Sequence, residues 1–219
     1  MNKTEGIFLT IEGGEGSGKT TIAEQLTKTL SDRGYSVLHT REPGGTKLSE
    51  QIRNILLKHS SSDLSMGVHA ELLLFLAARA QNIEENILPQ LRKGGLVLCE
   101  RFHDSSVAYQ GAARYLGMQY VEQLCHLACP GIEPHCTLLL DLDPRVGLER
   151  AKKLRGQELD RLEEEGLQFH SEVRQGFLHQ ADKYPSRIRV IDAGLSLDQV
   201  LKASLLAIEP FLLKPTHRK

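Results

Sequence analysis

The stretch IFLTIEGGEGSGKTTIAEQL, residues 7–26, places a glycine-rich loop between an apolar run and a segment with helical spacing. Within it, Gly13, Gly18, Lys19 and Thr20 match the phosphate-binding P-loop pattern GxxxxGK(S/T). Glycines allow consecutive backbone N–H groups to turn towards one anion, and the helix that follows directs the positive end of its dipole at the same place. The stretch therefore predicts a loop that holds the phosphates of a nucleotide.

The side chains of this loop have a chemical use of their own. Lys19 would reach the β- and γ-phosphates, and the Thr20 hydroxyl would ligate Mg²⁺. The residues predicted to hold the nucleotide are Gly13, Gly14, Glu15, Gly16, Ser17, Gly18, Lys19 and Thr20. A P-loop alone does not distinguish a kinase from a GTPase or an ATPase motor. The chain has no N-K-x-D segment to read guanine, and motor ATPases normally have larger chains with further coupling motifs.

The length, composition and charge of the chain indicate the number of domains and the kind of partner. The chain has 219 residues, 40% of them apolar and 25% charged, with a formal net charge of −1. These values are typical of one sizeable α/β domain, predicted here over residues 1–219, with 214–219 as a flexible tail. Because there is no overall basic charge, we expect no nucleic-acid partner, and an anionic ligand must be held by local clusters of side chains.

The cysteines and the N-terminus indicate the compartment. Cys99, Cys125, Cys129 and Cys136 form no CxxC pair and have no histidine at zinc-ligand spacing, so we expect buried or idle thiols in a reducing environment. The N-terminus lacks a basic segment followed by an apolar signal core, and no apolar run approaches the roughly 18 residues that cross a bilayer. We expect a cytoplasmic protein with no membrane contact.

Short apolar runs alternate with longer segments of helical spacing, which predicts a five-stranded parallel sheet with helices on both faces. The predicted strands are Ile7–Ile11, Val37–Thr40, Leu96–Cys99, Thr137–Leu140 and Ile188–Ile191. The predicted helices are Thr20–Ser31, Leu48–Leu57, His69–Leu91, Met118–Leu127, Pro144–Leu154, Gly166–Tyr184 and Leu197–Leu213.

Charged residues stand where the predicted strands end. They are Glu12, Arg41 with Glu42, Glu100 with Arg101, Asp141 with Asp143, and Asp192. The carboxyl ends of parallel strands lie along one edge of the sheet, and open α/β sheets bind their ligands in the crevice beyond that edge. A single charged residue after a strand often marks only the return of the chain to solvent, but the series predicts an active site at this edge.

Three further segments are suited to a second ligand. In HAELLLFLAARAQNIEENI, Phe75 and Arg79 share one helix face. Either Phe75 is core and Arg79 extends outwards or pairs with a carboxylate, or the ring and the guanidinium face one cavity that holds a nucleobase. The segment REPGGT (residues 41–46) is either a plain turn or a rigid loop with an arginine at its base. The segment ERFHDSSVAYQGAAR (residues 100–114) concentrates hydrogen-bonding side chains beyond a strand.

Taken together, the motifs resemble the thymidylate kinase family, P-loop enzymes that phosphorylate dTMP. The P-loop with its internal acid, REPGGT, FLAAR, ERFHDSSVAYQG, LLLDLDP and RLEEEG occur in the order of that family across about residues 6–170. The resemblance implies a single-domain P-loop kinase with a mobile lid that uses ATP and Mg²⁺ to convert dTMP to dTDP, together with a homodimer. The helix His69–Leu91 or Leu48–Leu57 could supply the interface between subunits.

The resemblance also implies roles for individual residues. Phe75 would stack on thymine, and Arg79 would hydrogen-bond to it, with Ser105, Ser106 and Gln110 near the base. Tyr109 would sit against the sugar, and Glu15 would meet the 3′-hydroxyl or the acceptor phosphate region. The acceptor phosphate would be gripped by Arg41 and Arg101, and the catalytic residues would be Lys19, Arg101 and Arg155.

Two features refine this expectation. The family more often has aspartate where this chain has Glu100, the residue expected beside Mg²⁺ with Thr20. Some family members place an arginine in the P-loop and others in the lid; this P-loop has none, so the lid type is implied, with the lid at about residues 150–163. A charge run of this kind is otherwise typical of a solvated helix face. Arg155 is the leading candidate for the lid arginine, and Arg150 and Arg161 are the next candidates. Both are expected to bind ATP, although Arg161 could instead stack on the adenine or pair within the lid.

Two other functions stay open at this point. Glu100-Arg101 after a strand is also similar to deoxynucleoside kinases, which would phosphorylate thymidine itself. The second alternative is a nucleotide-binding regulator that transfers no phosphoryl group.

Overall fold

Five parallel strands form the centre of the fold in the order β2-β3-β1-β4-β5, as seen in a computed structural model. The structure describes residues 6–57, 65–129, 131–155 and 160–212, without the side chains of residues 154 and 155. The strands are β1 (Ile7–Gly13), β2 (Val37–Arg41), β3 (Leu96–Glu100), β4 (Cys136–Asp141) and β5 (Ile188–Asp192). The predicted parallel sheet is therefore confirmed, and each strand continues for one or two residues into the charged positions predicted to follow it.

Helices connect the strands and cover both faces of the sheet. The first group is α1 (Lys19–Asp32), α2 (Lys47–Leu57), α3 (Val68–Asn82) and α4 (Leu88–Arg92). The second group is α5 (His103–Ser106), α6 (Met118–Ala128), α7 (Pro144–Arg155), α8 (Leu167–Lys183) and α9 (Leu197–Ile208). Residues 156–159 of the predicted lid and the predicted tail 214–219 lie outside the described residues.

The alternating side chains of β1 explain why helices cover both faces of the sheet. Leu9 and Ile11 are fully buried against one face, where α1 and α9 pack. Phe8 is equally buried on the other face, against the helical segment that includes Ile87. Successive strand residues point to opposite faces, so an all-apolar strand has to be covered on both sides. This is the reason that β1 lies at the centre of the sheet and holds the P-loop rigidly at its end.

The connections place one crevice at the carboxyl ends of β1 and β3. The connection from β1 passes over β3 to reach β2, and the connection from β3 passes over β1 to reach β4. The two connections thus leave the sheet in opposite directions, which opens the switch point where ligands of such sheets bind. The loops that follow β1, β2 and β3 all end at this place.

Two helical segments differ from the prediction. The predicted helix His69–Leu91 is α3 and α4 joined by a π-helical segment, Ile83–Ile87. The segment after β3, predicted only as a polar stretch, is helical: α5 runs directly into a second π-helical segment, Val107–Ala113. A π-helix adds a residue per turn and changes which side chains share a face. Simple helical spacing therefore could not place Tyr109 and Gln110.

All four cysteines are free and buried. Burial raises the pKa of the Cys129 thiol to about 12 and that of Cys136 to about 11, so both are unreactive packing residues. Within the described ranges, no helix combines the length and the apolar character that crossing a bilayer requires.

Candidate active site

The glycine-rich loop lies at the carboxyl end of β1, and α1 begins at Lys19. The Lys19 Nζ atom donates to the carbonyl oxygens of Gly14 at 2.7 Å and Gly13 at 3.2 Å. Ser17 Oγ donates to the same Gly14 carbonyl at 2.8 Å. The ammonium group is thereby held at the mouth of the loop, at the end of β1 and beside the positive end of the α1 dipole.

Gly16 has a second reason to be glycine. Its φ is 65°, in the left-handed region, and a Cβ at this position would lie only 2.0 Å from the carbonyl oxygen of Gly147 in α7. In turn, a Cβ on Gly147 would lie 2.2 Å from the carbonyl oxygen of Glu15. The loop and α7 therefore pack backbone against backbone, which only a pair of glycines permits. Sequence reasoning assigned these loop glycines to the phosphate alone.

Two side chains form a cluster of oxygens at the ends of β3 and the P-loop. Thr20 Oγ1 donates to Glu100 Oε2 at 2.6 Å, and the other oxygen of Glu100 lies 2.9 Å from His39 Nε2. Burial alone would raise the pKa of Glu100, but the hydrogen bonds from His39 and Thr20 outweigh it and lower this pKa. A hydroxyl beside an ionised carboxylate is a donor set that suits a hard cation such as Mg²⁺.

The described part of the chain has no group of three or more His, Cys, Asp or Glu side chains arranged to hold a metal ion. Mg²⁺ commonly keeps one or two protein ligands and takes the rest from waters and substrate phosphates. The Thr20–Glu100 pair fits that form of binding, because it offers two oxygens at the edge of the P-loop.

Arg101 connects the P-loop with the segment after β3. Its Nη1 atom donates to the Gly13 carbonyl at 3.0 Å, and its Nη2 atom donates to Glu15 Oε1 at 2.6 Å. The guanidinium carbon lies 5.1 Å from the centre of the Tyr109 ring. Tyr109 also donates its hydroxyl to Glu15 Oε1, at 2.7 Å. Arg101 has φ of 64°, and this backbone conformation lets the side chain turn back over the loop.

The carboxyl group of Glu15 is ionised in this arrangement. Burial works against the charge, but the positive charges of Arg101 and Lys19 and the Tyr109 hydroxyl lower its pKa to about 2. Lys19 is affected in the opposite sense. Burial and the neighbouring Arg101 lower the pKa of its ammonium group to about 8, against the opposing effect of Glu15, Glu100 and Glu12. The P-loop lysine is therefore close to losing its charge at mildly alkaline pH.

A cleft of about 270 Å³ brings most of the predicted side chains together. The predicted residues that line it are Glu15, Gly16, Gly18, Lys19, Thr20, Arg41, Phe75, Arg79, Glu100, Arg101, Ser105, Ser106, Tyr109 and Gln110. All lie beyond the carboxyl ends of β1, β2 and β3 or on the helices beside them. Asp141 pairs instead with Arg174 at 2.7 Å, and Asp192 accepts from the Gly194 N–H, so the acids that end β4 and β5 do not contribute to this cleft.

Arg79 lines one wall of the cleft and is buried, so it does not extend outwards; the alternative that it pairs with a carboxylate is confirmed. Its side chain is 1% exposed, and Nε donates to Glu42 Oε2 at 2.6 Å. Its Nη2 atom donates to the Phe102 carbonyl at 2.9 Å and to Ser106 Oγ at 3.0 Å. Nη1 makes only a long contact of 3.5 Å with Cys125 Sγ. Nη1 is therefore the nitrogen with donor capacity left for a ligand.

The other residues of this wall are positioned by the protein. Ser105 donates its hydroxyl to Glu12 Oε2 at 2.6 Å, and Glu12 also accepts from the Phe102 N–H at 2.7 Å. The carboxyl group of Glu12 thus anchors the start of α5. Phe75 is partly exposed and lines the cleft, as expected of a ring that is open to a ligand.

Two of the predicted arginines have protein partners outside the cleft, and the side chain of the third is not described. Arg150 donates to the Ala193 carbonyl at 3.1 Å, near the end of β5, and does not line the cleft. Arg161 donates to the Leu56 carbonyl at 2.9 Å and to Glu71 at 2.6 Å. This arrangement does not support a contact between Arg161 and ATP, because its guanidinium is committed to α2 and α3. The side chain of Arg155 lies outside the described residues.

Some lining residues were missed. Arg53 in α2 faces the cleft and donates to the Pro43 carbonyl at 2.8 Å. The signal that could have found it is its position two turns into the helix that follows the PGG segment. Glu42, the charged residue that follows β2, also lines the cleft; it is 4% exposed and pairs with Arg79. Asp160, Leu162 and Glu163, at the end of the predicted lid, also line the cleft.

The strand order, the glycine-rich loop at the end of β1 and the helix that begins at Lys19 define a P-loop kinase fold. Residues 11–203 match the family model for thymidylate kinase. The chain is 51% identical over 213 residues to a thymidylate kinase of Protochlamydia amoebophila, covering 94% of each chain. It is 44% identical to a thymidylate kinase of Clostridium novyi, covering 92% of this chain and 97% of that one.

A solved structure agrees with these matches. The crystal structure of thymidylate kinase from Ehrlichia chaffeensis superposes with a TM-score of 0.75 at 31% identity, covering 93% of this chain and 98% of that chain. The chain belongs to the thymidylate kinase family.

Proposed function

We propose that this protein transfers the γ-phosphoryl group of ATP to dTMP, giving dTDP and ADP, with Mg²⁺ as the cofactor. The observation that carries the proposal is that the P-loop lysine and the Phe75–Arg79 wall border one cleft. Arg101 borders the same cleft and is bonded to the Gly13 carbonyl of the loop and to Glu15. One cleft would therefore accept the ATP phosphates at the loop and a nucleobase at Phe75 and Arg79. Membership of the thymidylate kinase family supports the choice of substrates.

On the donor side, the backbone of the P-loop would hold the ATP phosphates, and Lys19 would leave the Gly13 and Gly14 carbonyls to contact them. Thr20 and Glu100 would hold Mg²⁺, either directly or through water. When bound, Mg²⁺ neutralises charge on the β- and γ-phosphate oxygens. Arg150 donates to the Ala193 carbonyl outside the cleft, and we propose that it contacts the part of ATP that extends beyond the cleft.

On the acceptor side, Phe75 would stack on thymine, with Arg79 and Gln110 hydrogen-bonding to its edge and Ser105 and Ser106 supporting them. The bond between Tyr109 and Glu15 would form the sugar site, with Tyr109 against the ring where a ribose 2′-hydroxyl would clash. The acceptor phosphate would be gripped by Arg41, Arg53 and Arg101. Arg41 pairs with Glu50 at a distance of 3.3 Å and is half exposed, so it can release that partner for a phosphate at little cost.

In the transfer step, an oxygen of the dTMP phosphate forms a bond to the γ-phosphorus while the bond to the bridging oxygen of ADP breaks. The protein supplies alignment and positive charge rather than covalent chemistry. Arg101, which touches both the loop and the acceptor region, and Lys19 would stabilise the charge that spreads over the transferred group. We propose Arg155 at the end of α7 as the lid arginine that completes this set.

A side-by-side assay with thymidine, dTMP, dUMP and dCMP tests the proposal. We expect dTMP to give the highest kcat/KM, because the arginine cluster at the acceptor site needs a phosphate to bind. A preference for thymidine over dTMP would identify a deoxynucleoside kinase instead. Tight binding of ATP without transfer to any of the four compounds would identify a regulator.

The affinity for ATP should fall at alkaline pH because Lys19 loses its positive charge there. With its pKa lowered to about 8 in the free protein, Lys19 carries its charge below that pH and loses it above. The affinity for ATP, measured by calorimetric titration between about pH 6 and 10, should therefore decline above about pH 8. In the Lys19→Arg variant the guanidinium stays charged, so the decline should be absent. A decline of the same size in both proteins would assign it to another group.

We also propose that the protein forms a homodimer through α2 and α3. Three large apolar side chains of these helices are exposed to solvent: Leu48 (48%) and Ile55 (58%) of α2, and Leu73 (60%) of α3. Apolar side chains concentrated on neighbouring helices are suited to a second copy of the chain.

A further inference from the structure

A buried carboxylate lies behind the base pocket. Glu71 in α3 is 1% exposed, and three side chains donate to it. Gln110 Nε2 donates to its Oε1 atom at 2.8 Å, and Arg161 Nη2 donates to its Oε2 atom at 2.6 Å. Arg114 contacts both oxygens at 3.4 to 3.5 Å. Nothing in the proposed reaction uses Glu71, and it does not line the cleft.

The ionisation of Glu71 determines what it can accept. Burial would raise its pKa, but the hydrogen bond from Gln110 and the charges of Arg114 and Arg161 outweigh burial and lower it. An ionised carboxylate has no proton to donate and can only accept hydrogen bonds. The atom of Gln110 that faces Glu71 must therefore be the amide nitrogen, and the amide oxygen must face the other way.

The oxygen of Gln110 faces the cleft. Gln110 lines the cleft, whereas Glu71, which its amide nitrogen contacts, does not. Among the residues that the structure describes, no hydrogen-bond donor contacts Gln110 Oε1. A side-chain amide would ordinarily be able to turn over and present either group to a ligand. Here the turn would point the oxygen at a carboxylate and leave two acceptors facing each other in a buried place.

We propose that Glu71 is a positioning residue that fixes the amide of Gln110 with its oxygen towards the base, so that the cleft selects a pyrimidine with a proton on ring nitrogen N3. The proposal rests on the proposed function, in which Gln110 lies beside the base. It adds Glu71 as the residue that sets which atom of the Gln110 amide faces the base.

Arg79, which bonds to Ser106 near Gln110, gives the complementary half of this recognition. Arg79 can only donate, and its Nη1 atom is the nitrogen with donor capacity left. A donor from Arg79 and an acceptor from Gln110 match the O4 oxygen and the N3–H group of thymine or uracil. Cytosine presents an amino group and an unprotonated N3 at the same two positions, so it would place donor against donor and acceptor against acceptor. A site of this kind rejects the wrong base strongly because buried polar groups are left unpaired.

The Glu71→Gln variant tests the proposal, because it keeps the shape but offers Gln110 a donor as well as an acceptor. The amide of Gln110 then has a partner in either orientation. We expect the ratio of kcat/KM for dTMP to kcat/KM for dCMP to fall by roughly tenfold, with most of the change in the KM values for the acceptors. The ratio for dTMP to dUMP should stay within about twofold of the wild-type value, because both bases present O4 and N3–H.

Two comparisons separate positioning from a general loss of structure. Damage to the fold would lower the rates for dTMP, dUMP and dCMP together and leave both ratios unchanged, and that result would overturn the proposal. In the Arg114→Lys variant the same carboxylate has an altered ion pair but can still only accept, so the dTMP to dCMP ratio should not change. A fall in that ratio equal to the one in Glu71→Gln would assign the effect to the ion pairs. Failure of the wild-type protein to phosphorylate dTMP would reject the proposed function itself.

A second measurement on the wild-type protein keeps the proposal testable should Glu71→Gln not fold. The side-chain amide signal of Gln110, assigned in a nitrogen-15 NMR spectrum by its loss in Gln110→Met, should be protected from exchange with water. It should stay protected and show no nuclear Overhauser contact with thymine when dTMP binds. A direct contact between these amide protons and the base would show that the nitrogen faces the pocket, which would overturn the proposal.

Discussion

Replacing Lys19 with alanine should lower kcat by about a hundredfold to a thousandfold, the usual effect of removing one charge that stabilises a transition state. The ammonium group of Lys19 makes its hydrogen bonds to carbonyl oxygens of its own loop, Gly13 and Gly14. It packs against no apolar core, so its removal should leave the thermal midpoint within a few degrees of the wild type. Steady-state and single-turnover kinetics with ATP and dTMP, together with a thermal unfolding scan, measure both effects.

Lys28 provides the matched control. It lies in the same helix, α1, and pairs with Asp32 at 2.6 Å, but the side chain is 79% exposed and far from the cleft. Lys28→Ala removes the same charge from the same helix and should leave kcat within about twofold, because exposed ion pairs contribute little. A kcat for Lys19→Ala that is equal to that of Lys28→Ala would contradict the role given to the P-loop lysine.

Replacing Glu42 with alanine should lower the free energy of unfolding by about 3–5 kcal/mol, the typical result of removing one partner of a buried ion pair. Arg79 is fully enclosed, and its Nε atom has Glu42 as its charged partner at 2.6 Å. Without Glu42, a guanidinium that cannot lose its proton stays buried with only carbonyl, hydroxyl and thiol contacts. Urea unfolding followed by circular dichroism measures the loss.

Glu50 allows a comparison within the same loop region. It pairs with Arg41 at 3.3 Å, but both side chains are more than two fifths exposed. Glu50→Ala should therefore lower the free energy of unfolding by about 1 kcal/mol or less. Equal decreases in the free energy of unfolding for Glu42→Ala and Glu50→Ala would show that burial does not make the Glu42–Arg79 pair more stabilising than an exposed pair. In folded Glu42→Ala protein, the KM for dTMP should rise more than the KM for ATP, because Arg79 borders the acceptor.

The sheet and the P-loop could be predicted from the sequence because their signals are local. An apolar run of five residues ending in a charge is sufficient to place β1, and the spacing from Gly13 to Thr20 is sufficient to place the loop. The charged strand ends also led to the correct edge. They could not show that β4 and β5 place no acidic side chain in the cleft. Asp141 pairs with Arg174, and Arg174 belongs to a helix more than thirty residues further along the chain.

The partners of the arginines could not be predicted either, because they also come from distant parts of the sequence. Helical spacing places Arg79 on the face of Phe75, but it does not reveal that Glu42, from another connection, turns inwards to meet it. Arg161 shares a charge run with Arg150 and Arg155, yet it packs against α2 and α3 because Glu71 is buried there. Long side chains select their partners by tertiary position, and a single sequence does not record that position.

The backbone of Arg101 has a consequence for how this protein can be improved. A residue with a Cβ in the left-handed region is disfavoured by roughly 1 kcal/mol relative to glycine, and φ at Arg101 is 64°. That conformation is what carries the guanidinium over Gly13 and Glu15. Glycine at residue 101 would relax the main chain, but it would also leave the Glu15 carboxylate without its partner at 2.6 Å, a larger loss than the backbone gain. Selection for heat resistance and selection for turnover should therefore both retain arginine at residue 101, despite its strained backbone.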